Sequence, residues 1–224
     1  HLRTKGGARM TKGMGRLGKE ALVREAMAIL AANATASMSD VASELGVGRT
    51  TLYRHFGDRE AMIAEVARLG ARMFGDALMS ARPASGPGLD AVERVCAQLF
   101  TVPDALTLMF ADEPIITDDV FAEVERERRA EAESEPDAAP GSADDGDVLE
   151  AVIARGQSDG SITTEVPVVW AAMYVFLTIG SGHLFSVTSG ETGPDGRARA
   201  LALTVRAVRK TLGSERAIRE YRKD

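Results

Sequence analysis

Apolar residues recur every three or four positions through most of the chain, which is the spacing of amphipathic helices. Within residues 16–33 the stripe consists of Leu22, Ala26, Ile29 and Leu30. Similar spacing predicts helices near residues 59–82, 89–99, 105–111, 118–135, 148–158 and 195–212. Period-two runs of β-branched residues are nearly absent, so no sheet is expected. The pattern therefore predicts an all-α protein.

Residues 39–59 are the most informative stretch, because they predict two short helices joined by a tight turn. Ser39 is expected to begin the first helix, since its hydroxyl can accept a hydrogen bond from an unpaired backbone N–H. Gly46 is expected to end it, since glycine adopts the left-handed conformation at no steric cost. This arrangement is a helix-turn-helix, whose second helix can enter the major groove of DNA.

The second of these helices has one apolar side and one side suited to nucleic acid. Leu52 and Phe56 point inward by helical spacing. The outward positions are cationic, hydroxylic and aromatic, and no acid lies between Arg49 and Gly57. Such a surface can contact phosphates and base edges.

The same patterns predict two domains. Residues 16–70 form a three-helix helix-turn-helix head, and residues 71–224 form a larger helical domain. The helix that follows Asp58 is long enough to belong to both. Residues 1–15 are glycine-rich and basic, and are expected to form a flexible arm. Residues 131–147 carry almost nothing that could form a core and are expected to be a mobile acidic loop.

The net charge of −6 is informative once it is divided by segment. Residues 1–60 hold ten Lys/Arg and six Asp/Glu, whereas residues 104–150 hold three Arg and sixteen Asp/Glu. Local charge, rather than the total, decides where a polyanion binds. DNA is therefore expected at the N-terminal end only.

Residues 166–189 contain no Asp, Glu, Lys or Arg, so this helix is expected to be buried on nearly all sides. A membrane span is the first alternative, but polar residues such as Thr178 and His183 weaken it. The favoured explanation is a core on one side and a second copy of the chain on the other, with residues 195–212 completing a four-helix bundle. The predicted interface residues are Leu177, Gly180, Ser181, Leu184, Phe185, Leu201, Val205 and Val208.

Other candidate chemistry is sparse. Cys96 is the only cysteine, which excludes an internal disulfide, suits a reducing cytoplasm and favours a core position over a redox sensor. Three histidines and one cysteine show no metal-ligand spacing, so no metal or cofactor is expected. The Gly13-x-Gly15-x-x-Gly18 match to a dinucleotide fingerprint lacks a preceding strand. No nucleophile motif is present, so the chain is not expected to be an enzyme.

The stretch SDVASELGVGRTTLYRHFGDREAM, residues 39–62, resembles the helix-turn-helix of the TetR (tetracycline-repressor-like) family of transcriptional regulators. The likeness is closest at Gly46-Val47, Thr51-Leu52-Tyr53, Phe56 and Arg59-Glu60. Residues 155–172 resemble the penultimate helices of that family. The resemblance implies an all-α homodimer whose heads bind a palindromic operator and whose second domain binds an effector.

The resemblance also implies which residues contact DNA. The groove-facing positions fall on Arg49, Thr50, Thr51, Tyr53, Arg54 and His55. Ser39 falls at the helix start that meets phosphate, and Arg59 matches a basic phosphate-binding position. Arg49 could bind guanine O6 and N7, whereas Tyr53 and His55 are better placed for phosphate oxygens.

The candidate effector cavity rests on composition alone, because methionine and aromatic side chains make adaptable walls. The candidate lining residues are Met73, Phe74, Phe100, Met109, Phe110, Trp170, Met173 and Tyr174. They favour an apolar or aromatic effector, although an ordinary core has the same composition. His183 could line this cavity, but a buried histidine at the dimer interface is favoured.

The predicted function is a repressor released from its operator by a small molecule. The alternative is a DNA-binding regulator with no small ligand, controlled by abundance or by a protein partner of residues 131–147.

Overall fold

The structure is a computed structural model that describes residues 18–134, 145–215 and 217. Within these residues it contains an isolated bridge between Ile162 and Gly213, no strand, and ten helices. They are α1 (Lys19–Ala32), α2 (Met38–Leu45), α3 (Arg49–Phe56), α4 (Arg59–Ser80), α5 (Gly88–Leu99), α6 (Pro103–Met109), α7 (Asp118–Ser134), α8 (Asp145–Asp159), α9 (Val168–Thr188) and α10 (Pro194–Leu212). The all-α prediction is confirmed. The predicted arm at 1–15 lies outside the described residues.

Helices α1, α2 and α3 pack with the first turns of α4, and we call this unit the head. Its apolar core is continuous with that of the remaining helices. The fully buried residues at its centre are Leu30, Val41, Leu52, Met62 and Val66. The core explains the sequence pattern, because each helix contributes residues three or four positions apart.

Helix α4 connects the head to the remaining helices. Its N-cap is Asp58, as predicted, and the Asp58 carboxylate accepts a hydrogen bond from the Ala61 N–H at 2.8 Å. After leaving the head, α4 packs against α5, α6 and α7. Any change in the position of α4 therefore affects both ends of the molecule.

Among the remaining helices, α5 packs with α8, α8 packs with α9, and α9 packs with α10. Helices α5 and α8 approach most closely at Gly88 and Gly156. A Cβ on Gly88 would lie 2.2 Å from the Gly156 Cα, so position 88 has no room for a side chain.

Three predicted element boundaries were wrong. Helix α6 begins at Pro103, where the missing N–H of proline costs nothing in the first helical turn. Residues 131–134 and 145–147 are helical, so the predicted loop at 131–147 is too long at both ends. Glutamate and alanine at 131–133 favour helix even where no core is available. The middle of that loop lies outside the described residues.

Candidate DNA-binding surface and ligand cavity

The turn between α2 and α3 fixes which side of α3 faces outward. Gly46 adopts φ 64° and ψ 27°, the left-handed conformation predicted for it. The Val47 N–H then donates to the Ala42 carbonyl at 3.0 Å, which closes the turn. Leu52 and Phe56 are buried against the head, so the opposite side of α3 faces solvent.

The α3 residues predicted to contact DNA lie together on this outward side and around its edges. The exposed ones are Arg49, Thr50, Tyr53 and Arg54, and the half-buried ones are Thr51 and His55. Because no carboxylate interrupts the set, the surface can accept a polyanion without an internal repulsive charge.

The N-terminus of α2 differs from the prediction. Its cap is Ser37 rather than Ser39, which lies half-buried in the first turn. The Ser37 Oγ accepts from the Asp40 N–H at 3.2 Å, and the Ser37 N–H donates to Asp40 Oδ2 at 2.9 Å. The Ser37 hydroxyl also donates to Asp40 Oδ2 at 2.7 Å, and this bond, together with that from the Ser37 N–H, holds the pKa of Asp40 below its usual range. A serine three residues before a carboxylate is the sequence sign of this reciprocal cap.

Arg59, predicted to bind phosphate, makes two hydrogen bonds within the head. Its Nε donates to the Ala36 carbonyl at 3.0 Å, and its Nη2 donates to the Ala34 carbonyl at 2.7 Å. The guanidinium thereby joins the start of α4 to the loop between α1 and α2. No local sequence signal reveals this contact, because the residues are more than twenty positions apart.

A cavity of about 620 Å³ lies between α4, α5, α7, α8 and α9. Its apolar wall consists of Phe74, Leu78, Val95, Leu99, Phe121, Ala122, Leu149, Val169, Ala172, Met173, Phe176 and Ile179. Its charged lining consists of Asp118, Glu125, Arg126, Arg129 and Glu150. This size and mixture of surfaces suit a small organic ligand.

Two of the eight predicted cavity residues line it, namely Phe74 and Met173. Phe110 packs behind the wall, with its ring centroid 5.0 Å from that of Phe176. Trp170 and Tyr174 stack on each other with centroids 5.3 Å apart. The three others, Met73, Phe100 and Met109, are not lining residues. Composition identified the right kind of side chain but not which side of each helix faces the cavity.

Helix α7 supplies the lining that sequence reasoning missed, because its high charge is typical of a solvated surface. The six lining residues on α7 are Asp118, Phe121, Ala122, Glu125, Arg126 and Arg129. They are spaced alternately by three and one, which is a single helical face. That spacing is visible in the sequence and could have indicated a functional face.

Three ion pairs hold a different face of α7 against α4. Arg68 Nη1 lies 3.2 Å from a Glu123 carboxylate oxygen, and Arg72 Nη2 lies 2.5 Å from Glu127 Oε2. The third pair joins Arg128 of α7 to Asp76 of α4 at 2.7 Å. Helix α7 therefore touches both the cavity and the helix that enters the head.

Comparison with known proteins shows a family match in the head. A sequence model described as bacterial regulatory proteins of the tetR family matches residues 22–66, which run from α1 into α4. Residues 22–66 are therefore similar to the tetR-family regulators.

A curated relative supports the same family. The HTH-type transcriptional repressor LfrR of Mycolicibacterium smegmatis is 29% identical over 104 residues. The match covers 46% of this chain and 55% of LfrR, so it spans only about half of that protein's length.

Solved structures of transcriptional regulators share the fold over most of the chain. The Mycobacterium smegmatis regulator LfrR in complex with proflavine has a TM-score of 0.59 at 21% identity, covering 85% of this chain and 94% of that one. The ketosteroid regulator KstR2 of Mycobacterium tuberculosis has a TM-score of 0.62 at 14% identity, covering 88% and 95%. These relatives are named as transcriptional regulators rather than enzymes, in agreement with the sequence prediction.

One face of α9 remains exposed. The apolar residues Trp170, Met173, Leu177 and Leu184 recur along it, and Leu203 of α10 is exposed as well. The expectation that α9 is buried on nearly all sides therefore fails within one chain.

The eight predicted interface residues divide into three groups. Leu177, Ser181, Leu184 and Phe185 are exposed, and Leu201 and Val205 are half-buried. Gly180 and Val208 lie inside the protomer, where they cannot meet a second chain. A Cβ on Gly180 would lie 2.5 Å from the Phe110 ring, so this glycine serves packing within the protomer.

His183 is satisfied within one chain rather than at an interface. It is buried between α6 and α9, and its Nε2 lies 2.9 Å from Thr107 Oγ1. Burial lowers the pKa of its imidazole, because the charged form loses its hydration. Among the residues that the structure describes, no group of three or more histidine, cysteine or carboxylate residues could hold a metal ion.

Proposed function

We propose that this protein is a ligand-responsive transcriptional repressor that binds a palindromic operator as a dimer and leaves it when an effector enters the cavity. The observation that carries the proposal is the continuity of α4. Its first turns pack in the head against α1 and α3, and its later residues Phe74 and Leu78 line the cavity. A ligand that moves α4 would change the position of the head.

The division of labour follows the predicted domains. Residues 16–70 would bind DNA, and residues 71–224 would bind the ligand and form the dimer. Support for the first comes from the tetR-family match, which lies wholly within residues 22–66. Support for the second comes from the cavity, whose lining residues all lie beyond residue 73.

The exposed apolar face of α9 supports a dimer. A second copy related by a two-fold axis would present the same face, so Leu177 and Leu184 could pack against their equivalents. By length and composition α9 could also cross a membrane, and 33% of its apolar window is buried. We favour a dimer in the cytoplasm, because the relatives named above are DNA-binding regulators.

A dimer explains why the operator should be palindromic. Two heads related by a two-fold axis read half-sites about one helical turn of DNA apart, roughly 34–36 Å. An effector that changes their spacing disfavours simultaneous binding. A typical coupling free energy of about 1–3 kcal/mol would change affinity roughly 5- to 150-fold.

The relative LfrR is named a repressor, and a structure of it contains proflavine. Both facts favour a repressor with a small-molecule effector over a regulator controlled by a protein partner or by abundance. The cavity also favours a small-molecule effector, because a regulator controlled by a protein partner or by abundance does not need an open space of about 620 Å³.

The test is selection of DNA from a random library by the full chain, followed by fluorescence anisotropy. We expect a palindromic consensus bound at least ~10³-fold more tightly than random DNA. Replacing Arg49 by alanine should relax preference at particular base pairs, at a cost of about 1–3 kcal/mol for each bidentate hydrogen-bond pair that the change removes. Selection that yields no consensus would refute the proposal.

A further inference from the structure

Most of the charged lining of the cavity lies at its mouth, whereas its buried lining is largely apolar. Buried side chains such as Leu99 and Ile179 form the interior, and Asp118, Arg126 and Arg129 are exposed. A ligand that fills this space therefore has an apolar body and meets charge near the opening.

Glu125 is a charged lining group whose side chain lies mostly inside the wall. Its side chain is only 13% exposed, whereas that of Arg129, one helical turn later, is 56% exposed. The Arg129 Nε donates to a Glu125 carboxylate oxygen at 3.0 Å. The pair thus has a carboxylate on the inner side and a guanidinium that already reaches water.

This asymmetry decides which charge the cavity can accept. A ligand cation can replace Arg129 beside Glu125, because the guanidinium can turn outward into solvent at little cost. A ligand anion would have to draw Arg129 away and then lie beside an uncompensated, mostly buried carboxylate. Carboxylates also outnumber guanidiniums in the lining, by three to two.

The aromatic wall also favours a positively charged ligand. Phe74, Phe121 and Phe176 enter the lining from three different helices, and the Phe74 and Phe121 rings are edge-on with centroids 5.4 Å apart. The faces of aromatic rings attract cations and repel anions.

We propose that the cavity binds an amphiphilic organic cation, whose apolar body packs on these phenylalanines and whose positive group takes the place of Arg129 beside Glu125. The proposal rests on the proposed function in one respect, since the cation is taken to be the effector. It goes beyond that function by naming the ligand class and the counter-ion.

Two probe ions of nearly equal size and shape test the sign of the charge. Tetraphenylphosphonium and tetraphenylborate are titrated into the full chain without DNA, by calorimetry in a sodium buffer. We expect the phosphonium to bind about tenfold or more tightly than the borate, as a charge interaction at a partly buried site predicts.

Two variants with opposite expected effects test the counter-ion. Glu125→Gln should weaken phosphonium binding about tenfold. Arg129→Met should strengthen it several-fold, because the ligand no longer competes with an internal cation. Asp119→Asn is the matched control, since it removes the same charge from an exposed position on α7 outside the lining and should change little.

Each outcome decides the matter. Borate binding as tight as phosphonium binding, equal effects of Glu125→Gln and Asp119→Asn, or weaker phosphonium binding by Arg129→Met would overturn the proposal. If cations fail but another ligand releases the selected operator, the ligand class is wrong and the proposed function stands. If the phosphonium binds through Glu125 but leaves the operator bound, the site stands and the cation is not the effector.

Discussion

Arg59 shows how a residue type can suggest one role while the structure gives it another. A basic side chain near the start of α4 suggests a phosphate contact. Both hydrogen bonds of its guanidinium go to carbonyls of the loop between α1 and α2. This arrangement makes Arg59 a positioning residue that holds α4 to the head.

Replacement of Arg59 by methionine should separate the two roles. Removal of the two positioning hydrogen bonds should lower the free energy of unfolding by about 1.5–3 kcal/mol, since one hydrogen bond to a charged group contributes about this much and the second bond is exposed. Operator affinity should fall, while the slope of log K against log salt stays the same. Arg54→Met, at an exposed position of α3, should instead reduce that slope by about one. Thermal unfolding measures the change in stability, and fluorescence anisotropy at several salt concentrations measures the slope. A reduced slope for Arg59→Met would show that Arg59 contacts phosphate.

Cys96 is fully buried in α5, and burial raises the pKa of its thiol to about 12. At neutral pH the thiol therefore stays protonated, and the reactive thiolate is scarce. We predict that a disulfide reagent labels Cys96 slowly in the folded protein and rapidly in denaturant. Fast labelling at native conditions would indicate that the thiol can act as a redox sensor after all.

Among the elements, α2 and α3 were predictable because their signals are local. Gly46, Leu52 and Phe56 lie within eleven consecutive residues, and the turn and the inward face follow from their order. The role of α7 was not predictable in the same way. Its ion pairs join residues more than fifty positions apart, and charge alone did not distinguish a solvated helix from a helix with two contact faces.

Helix α9 was predicted in extent but not in rotation. The uncharged run predicts a long apolar helix. The rotation of that helix about its own axis, however, depends on its packing with α6, α8 and α10. That rotation decides which residues point outward. For this reason Leu177 lies on the open face, whereas Gly180, three positions later, faces Phe110.

A charge on the open face of α9 should abolish the dimer. Leu177 is 56% exposed, so Leu177→Glu should leave each protomer folded while placing two like charges at the two-fold axis. Light scattering at micromolar concentration should then give a monomer. Met79→Glu adds the same charge at an exposed apolar position on α4 and should remain dimeric. A dimer that survives Leu177→Glu would place the interface elsewhere.

At the scale of the whole molecule, the three ion pairs between α4 and α7 connect the cavity wall to the head. Exposed pairs contribute about 0.2–1 kcal/mol each, so together they are comparable to an allosteric coupling of about 1–3 kcal/mol. Lys19 extends the connection, because its Nζ lies 2.7 Å from Glu65, which in turn lies 3.7 Å from Arg68.

Removal of these pairs should weaken communication more than it weakens binding. In the triple variant Asp76→Asn, Glu123→Gln and Glu127→Gln, we expect the ligand-induced change in operator affinity to fall several-fold. Affinity of the cavity for phosphonium in the absence of DNA should stay within about twofold, since none of the three residues lines the cavity. Anisotropy with and without the probe measures the coupling. Glu191→Gln, which removes the pair with Arg199 near the distant end of α9, is the control and should change nothing.

The close crossing of α5 and α8 has a consequence for the range of ligands. Around Gly156, α8 is held by more than the glycine contact, because Arg155 donates to the Pro83 carbonyl at 2.6 Å and Asp159 accepts from the Gly88 N–H at 2.8 Å. Leu149 lies seven residues away, about 10 Å along the helix. A tilt of about 10° around this pivot would shift the Leu149 edge of the cavity by about 2 Å. If the cavity binds the proposed effector, such a tilt would let it accept molecules of several widths without a change in its lining residues.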